Sequence, residues 1–333
     1  MKKLLNTLYV LTLDSYLFCR NENICVRIGD MEKLSVPALN IDSIVCFGKM
    51  TVSTPLLEFC GSHGISLTFI RENGRFMGRL QGPVSGNVLL RKRQYASMED
   101  AAFAQRTVQS ILLAKLRNSK LVLMRVARTE RAGAYKEELM LGVQQLNEAV
   151  ANLLECSSVD SMRGIEGAAA TSYFARFDCM LAGNPGGFRF DTRSRRPPRN
   201  EVNAALSFTY MLLSGQMQSA MEAVGLDPAA GYLHTLRPGR ASFALDLIEE
   251  LRAPLCDRFV LSLFNKGQLS RSDFDQDEEM VSLNERGHRT LLSAWEKRKQ
   301  EQIVHPFLKE KVPIGLIPYV QAMLLSLIHI SEP

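Results

Sequence analysis

The stretch GYLHTLRPGRASFALDLIEELRAP, Gly231 to Pro254, sets His234, one of five histidines, before a basic Pro-Gly loop and a helix carrying Asp246, Glu249 and Glu250. With Ser242 as N-cap, Ala244, Leu247, Ile248 and Leu251 form an apolar stripe at helical spacing, and the three acids share the opposite face. Taken alone, that is an amphipathic helix with a wet acidic face. A second stretch, RGIEGAAATSYF from Arg163 to Phe174, holds one acid, Glu166, among Gly and Ala residues that let another element approach the backbone. A carboxylate in so tight a place is paired, protonated or metal-bound. The alternative is a Glu near a helix N-terminus, where the dipole favours it. One histidine with two or more carboxylates suits a hard, oxygen-preferring cation, Mn²⁺ or Mg²⁺, rather than thiolate-bound zinc. Such an ion works on phosphate by polarising a phosphoryl oxygen and steadying the leaving oxygen.

A third stretch supplies counter-charge. Between Phe188 and Arg199 a loop stiffened by Pro197 and Pro198 carries Arg189, Arg193, Arg195, Arg196 and Arg199, while Arg237 and Arg240 flank His234 and Arg163 precedes Glu166. Arginine's planar fork matches phosphate geometry, so these eight are candidate contacts to a nucleic-acid backbone; a solvated charged face is the other reading. Rival chemistries lack their signatures. The chain has no phosphate-binding loop with its lysine, no dinucleotide fingerprint and no Gly-x-Ser-x-Gly elbow, and Gly183 to Gly187 reads as a turn.

These groups need a scaffold, and 333 residues allow about two domains. Hydrophobic residues make up 46% and charged residues 23%, a globular balance that excludes a disordered or fibrous chain. The net charge of +5 is mild for this length, so a nucleic-acid reading rests on local clusters. Seven scattered cysteines without a Cys-x-x-Cys pair fit a reducing cytosol and argue against a disulfide framework or a zinc site. Met1 to Leu5 imitates a signal peptide, but Asn6 and Thr7 interrupt it and no cleavage site follows, so it reads as a first strand. Ile314 to Ile330 is apolar but carries Pro318, Gln321 and His329, which favours a buried helix over a membrane span.

Up to about Tyr95 the chain reads as mostly β. Leu8 to Leu13 and Ile24 to Ile28 are strand-like. Ile65 to Ile70 leads through Glu72-Asn73-Gly74 into Arg75-Phe76-Met77, a hairpin signal because Asn and Gly tolerate positive φ. One short helix intervenes, with Thr54 as cap, Pro55 in its first turn and Gly64 at its end. Gly82 to Asn87 is the way out of this domain, and Arg91-Lys92-Arg93 opens a region of helical periodicity marked by Leu139, Val143, Leu146, Val150 and Leu153. The acidic piece Asp273 to Glu279 reads as a solvated loop.

Three motifs, RGIEGAAATSYF, RSRRPPRNEVNAALSFTYMLL and GLDPAAGYLHTLRPGRASFALDLIEELRAPLCDRFVLSLFN, resemble in this order the CRISPR-associated endonuclease Cas1 family, from the first strands to about Leu325. RPGR after the histidine and EKVPIGLIPYVQAML near the end look most like its type I-C branch. The resemblance implies an α+β fold: an N-terminal β-sandwich over residues 1–95, a larger all-α catalytic domain over 96–325, and an unassigned end over 326–333 unlike the family's polar, basic ending. It implies a cytoplasmic homodimer that works with the small partner Cas2 on double-stranded DNA, both spacer precursor and CRISPR repeat. It puts Glu166, His234 and Glu249 at the family's three metal-ligand positions, with Mg²⁺ or Mn²⁺ as cofactor; Glu249 stands where many relatives have Asp. Asp246, one turn earlier, is a secondary candidate ligand, and Glu250 is left solvent-facing or salt-bridging. Asn200 replaces an Asp of many relatives, so no charged role carries over to it. The implied activity is insertion of short duplexes into a CRISPR array by 3′-hydroxyl attack on repeat phosphodiesters. A reading from another class, a non-catalytic DNA-binding subunit, needs only the arginines.

Overall fold

The computed structural model describes residues 6–82, 88–181 and 183–326. The expectations for Met1 to Leu5, for residues 83–87 of the linker and for the end after Ser326 lie outside them. Two compact units emerge, one of Met1–Ser85 with Ser282–Ile317 and one of Gly86–Val281 with Pro318–Pro333. The sequence reading divides the chain once, near residue 95, whereas the segment from Ser282 returns to the β-rich unit. Polar and aromatic contacts hold it there. Tyr9 donates a 2.8 Å hydrogen bond to Glu296, the buried Lys299 reaches Glu296 and Thr7, and the Phe47 ring centroid lies 5.2 Å from that of His288.

The β-rich unit contains two four-stranded sheets. One runs β1 (Asn6–Val10), β5 (Ile41–Phe47), β7 (Ser66–Ile70), β8 (Phe76–Arg79); the other runs β4 (Met31–Pro37), β3 (Asn23–Ile28), β2 (Tyr16–Arg20), β6 (Thr51–Val52). Residues at alternate positions of both sheets, among them Leu17, Ile24, Val26, Ile44, Cys46 and Leu67, enter one core with Leu56 and Cys60 of helix α1 (Thr54–His63). The β7–β8 hairpin forms where the Asn-Gly signal falls, with Gly74 at φ 80°. The cap of α1 is Ser53 rather than Thr54: its hydroxyl accepts from the Leu56 amide at 3.3 Å, and Gly64 ends the helix at φ 66°.

Helix α10 (Glu285–Gln300) sets His288 into this unit at 3% exposure, and burial pushes its pKa from 6.5 down to about 4. The unfolded chain takes up the proton near pH 6.5 and the folded one only near 4. Stability is therefore full above pH 6.5 and is lost as pH falls through that window, by about 2–3 kcal/mol. His288→Phe, an uncharged ring of similar shape, is expected to flatten this dependence when urea unfolding is compared at pH 4.5 and 7; an unchanged slope would contradict it.

In the second unit α2 (Val88–Glu99) precedes α3 (Ala101–Ala127), which starts where Asp100 accepts from the Ala102 and Phe103 amides. Val108, Ile111, Leu112, Leu116, Val122 and Leu123 bury one stripe of α3, which packs against α4 (Lys136–Glu155), α5 (Val159–Ala175) and α8 (Ser242–Leu251). Leu139, Val143, Leu146 and Leu153 of α4 are buried as their spacing predicts. A single turn, α6 (Phe177–Met180), precedes the arginine loop, which leads into α7 (Glu201–Val224), capped by the Asn200 side chain on the Asn203 amide. After α8 a π-type turn at Arg252–Asp257 leads into α9 (Arg258–Asn265). Pro254 explains that turn. It has no N–H to offer the Glu250 carbonyl, which takes a 2.8 Å hydrogen bond from the Asn118 side chain instead.

The acidic piece is not simply solvated. Asp273 is buried in a reciprocal capping box with Ser270, and β9 (Phe274–Gln276) pairs with β10 (Val281–Leu283). Strands β11 (Gln302–Val304) and β12 (Lys311–Pro313) pair antiparallel, and α11 (Ile317–Leu324) follows. Among the described residues no helix is long and apolar enough to cross a membrane.

Candidate metal centre

The loop from Asp227 to Ala241 presents His234, and Asp246 of α8 holds it. Oδ2 of Asp246 accepts from the amides of Tyr232 at 2.7 Å and Leu233 at 2.9 Å, while Oδ1 accepts from the amide of His234 at 2.9 Å. His234 Nδ1 lies 2.6 Å from the same Oδ1. A carboxylate can only accept, so Nδ1 donates to it and Nε2 is the ring nitrogen left to face Glu249. Gly231 permits this wrap, since a Cβ there would stand 2.7 Å from the Ser242 carbonyl carbon. From the far side the buried Gln94 of α2 accepts from the Asp227 amide and donates to the Asp227 carbonyl. Two expectations change here. Ser242 is the first helical residue, its hydroxyl donating to the Thr235 carbonyl, and Ala241 takes the cap position without a side-chain bond.

The second change is larger, because the acidic face of α8 is covered rather than wet. Asp246 is 0% and Glu249 4% exposed. Glu250 is half-buried and accepts from Gln321 at 2.6 Å; burial raises its pKa despite that bond. Around Glu249 three positive or donor groups converge: Arg252 at 2.6 Å from Oε1, Lys115 at 2.6 Å from Oε2, and His234 Nε2 at 3.9 Å from Oε1. Burial by itself would raise the pKa of Glu249, but Arg252, Lys115 and His234 outweigh it and hold the pKa down to about 2.

Glu166 is not at a helix N-terminus. Ser158 caps α5, and Glu166 falls two turns in, where its carboxylate also pairs with Lys115. Nor do the neighbouring glycines serve a close helix contact, for a Cβ at Gly164 or Gly167 would meet nothing within 4 Å. Lys115 thus joins Glu166 of α5 to Glu249 of α8. Sequence reasoning missed it, although the signal is present: Lys115 falls on the apolar stripe of α3, beside Leu112 and Leu116.

Among the described residues no three His, Cys, Asp or Glu side chains stand together closely enough to hold a metal ion as they are. The donor set nevertheless suits a hard cation. Glu166, Glu249 and the free Nε2 of His234 are oxygen and imidazole donors, and a positive charge already sits between the carboxylates. Oε2 of Glu249 is buried without a well-formed hydrogen bond, although Lys115 Nζ is beside it. Asp246 differs, because both its oxygens are committed to backbone amides and to His234.

Behind Glu249 a polar layer stiffens the site. Asp257, 2% exposed, accepts from Tyr173 at 3.0 Å and Tyr210 at 2.5 Å, and burial pushes its pKa up to about 6. The guanidinium of Arg252 lies 5.0 Å from the Tyr210 ring centroid. The candidate arginines divide into two groups. Arg193 is structural, donating to Asn203 and Ser207, and burial lowers its pKa to about 10. Arg163 donates to the Leu233 carbonyl at 2.7 Å, tying α5 to the histidine loop, and Arg189 pairs with Asp178. Arg195, Arg196, Arg199 and Arg237 are exposed and Arg240 half-buried. Arg195 also lines a cavity of about 30 Å³ with Lys115, Glu249 and Arg252.

A family model described as CRISPR associated protein Cas1 matches residues 8–297. The chain is 43% identical over 328 residues to the CRISPR-associated endonuclease Cas1 1 of Chlorobaculum tepidum, covering 98% of this chain and 95% of that protein. A casposase bound to its integration product superposes with a TM-score of 0.84 at 21% identity, covering 99% of this chain and 92% of that one. A Cas6-RT-Cas1–Cas2 complex superposes with a TM-score of 0.84 at 20% identity, covering 99% of this chain and 35% of that one. At these identities the two structures show the fold, an N-terminal β-sheet region followed by helices. With the family model spanning most of its length and a curated relative matched nearly end to end, the chain belongs to the CRISPR-associated Cas1 endonuclease family.

Proposed function

We propose that this protein is a divalent-metal-dependent DNA endonuclease and integrase of CRISPR adaptation, and that it inserts short duplexes into a repeat array. The observation that carries the reading is that Glu166 and Glu249 share the single ammonium of Lys115 while His234 Nε2 faces Glu249 at 3.9 Å. These three residues would hold Mg²⁺ or Mn²⁺, and Asp246 fixes the tautomer and the position of His234 rather than ligating. When bound, the ion would supply charge stabilisation at a phosphoryl oxygen and at the leaving oxygen.

The remaining work falls to other residues of the chain. Arg195, Arg237 and Arg240, with Arg196 and Arg199, hold DNA phosphates around the centre, and Arg163 keeps the histidine loop seated on α5. A 3′ hydroxyl attacks a repeat phosphodiester and expels another 3′ oxygen. One phosphodiester replaces another, so neither ATP nor a covalent enzyme intermediate is needed, in keeping with the missing nucleotide-binding loop. Cas2 and double-stranded DNA as partners are part of the proposal, supported by the Cas1–Cas2 complex and the casposase among similar folds, and a homodimer is carried over from the family resemblance alone. The RPGR and EKVPIGLIPYVQAML stretches support the type I-C branch.

The test uses a labelled duplex, a CRISPR-repeat plasmid, the protein and its Cas2 partner, with Mn²⁺ or with a chelator. Joined strands are expected with Mn²⁺, and chelation is expected to reduce them at least about a hundredfold while duplex binding persists. Shortened DNA without joined strands would indicate a hydrolytic nuclease. Binding without any product in Mn²⁺ would favour a DNA-binding subunit.

A further inference from the structure

Lys115 is costly where it stands. Its side chain is 14% exposed on the apolar stripe of α3, and its ammonium pairs with Glu166 and Glu249, carried on two other helices. Desolvating a lysine is unfavourable unless its partners compensate, and two facing carboxylates are unfavourable without a counter-charge. Each group is thus explained by the others. The same oxygens are the donors a divalent cation would require. A cation bonding to carboxylate oxygens at about 2.0–2.2 Å leaves no room for an ammonium between them.

We propose that Lys115 is a built-in competitor for the metal: its ammonium occupies the cation position between Glu166 and Glu249 in the ion-free protein and must withdraw for the ion to enter. This inference rests on the metal-centre reading given above. The lysine stem has four flexible carbons, so withdrawal needs rotamer changes and no backbone movement. Two consequences follow. The lysine supports the ion-free fold by neutralising two carboxylates, and it weakens the apparent affinity for the ion, because every binding event must first break two ion pairs.

The test is a Mn²⁺ titration followed by electron paramagnetic resonance of the free ion, on the full chain and on Lys115→Met, Lys115→Gln and Lys115→Arg, with melting temperatures taken with and without Mn²⁺. Both neutral variants are expected to bind Mn²⁺ at least about tenfold more tightly than the parent, and the Arg variant within about threefold of it. Without metal the neutral variants are expected to melt lower, and Mn²⁺ should raise their melting temperature more than it raises the parent's. Should Lys115→Met fail to fold, Lys115→Gln, which keeps a donor to the carboxylates, carries the comparison. Neutral variants that fold and bind Mn²⁺ no more tightly than the parent overturn the competitor. His234→Ala in the same titration separates the two ideas: if it weakens binding while neutral Lys115 variants do not tighten it, the competitor alone fails. If no protein binds Mn²⁺, or if His234→Ala changes nothing in any background, the metal centre fails and the competitor with it.

Discussion

His234→Ala is expected to reduce strand transfer by about a thousandfold or more while leaving the protein folded and duplex binding largely intact. The ring is the imidazole of the proposed centre, and its Nε2 is the ring nitrogen that Asp246 does not hold. Its removal costs little elsewhere. The side chain is 21% exposed, and Asp246 still accepts the three amides of Tyr232, Leu233 and residue 234. The loss of one charge-assisted hydrogen bond therefore sets the stability change at about 1.5–3 kcal/mol. The checking measurements are joined product on a repeat plasmid, a binding isotherm for the same duplex, and a thermal melt. Equal product from parent and variant would remove His234 from the reaction.

Asp246→Asn is expected to produce the largest loss of stability among the changes considered, about 3–5 kcal/mol in a denaturant titration. Asp246 is fully buried and faces four donors, three backbone N–H groups and His234 Nδ1. An amide offers one acceptor oxygen and turns its own two hydrogens toward donors, so whichever way it flips, at least one amide of the loop faces another donor. Strand transfer should fall as well, because the ring loses its orientation along with its loop. A stability change under about 1 kcal/mol would mean that the loop is held by Gln94 and the wrap at Gly231 rather than by the carboxylate.

The contrast between those two substitutions shows what the sequence could and could not reveal. The helical wheel of α8 correctly groups Asp246, Glu249 and Glu250 on one side, but a wheel says which residues share a face and nothing about what covers it. Coverage comes from a loop twelve to fourteen residues upstream folding back over Asp246. For the β-rich unit, period-two burial and the Asn-Gly turn are local signals, so β1, β3 and the β7–β8 hairpin could be read directly, although β1 ends at Val10 rather than Leu13. The return of residues 282–317 is a long-range pairing and left no such trace. Arg193 shows the limit of counting charges: it sits in the same basic run as Arg195, yet Asn203 and Ser207, one turn apart on α7, turn it inward. Lys115 was legible in principle, since a lysine in an otherwise apolar stripe asks for an acidic partner. Its partners, Glu166 and Glu249, lie 51 and 134 residues away in the chain.

The discontinuous make-up of the β-rich unit bears on how the protein is made. A chain emerging from the ribosome delivers the eight N-terminal strands first, but Trp295, 1% exposed and among the largest buried side chains, arrives more than two hundred residues later with the rest of α10. Most of the helical unit, Gly86–Val281, emerges between the two halves of its neighbour, and its last piece, from Pro318, emerges after both. Closing a loop of that length costs chain entropy and slows folding, so the β-rich unit cannot be complete until α10 has been made. Until Ser282–Ile317 joins it, its nascent strands stand as an incomplete surface, the kind that cellular chaperones engage.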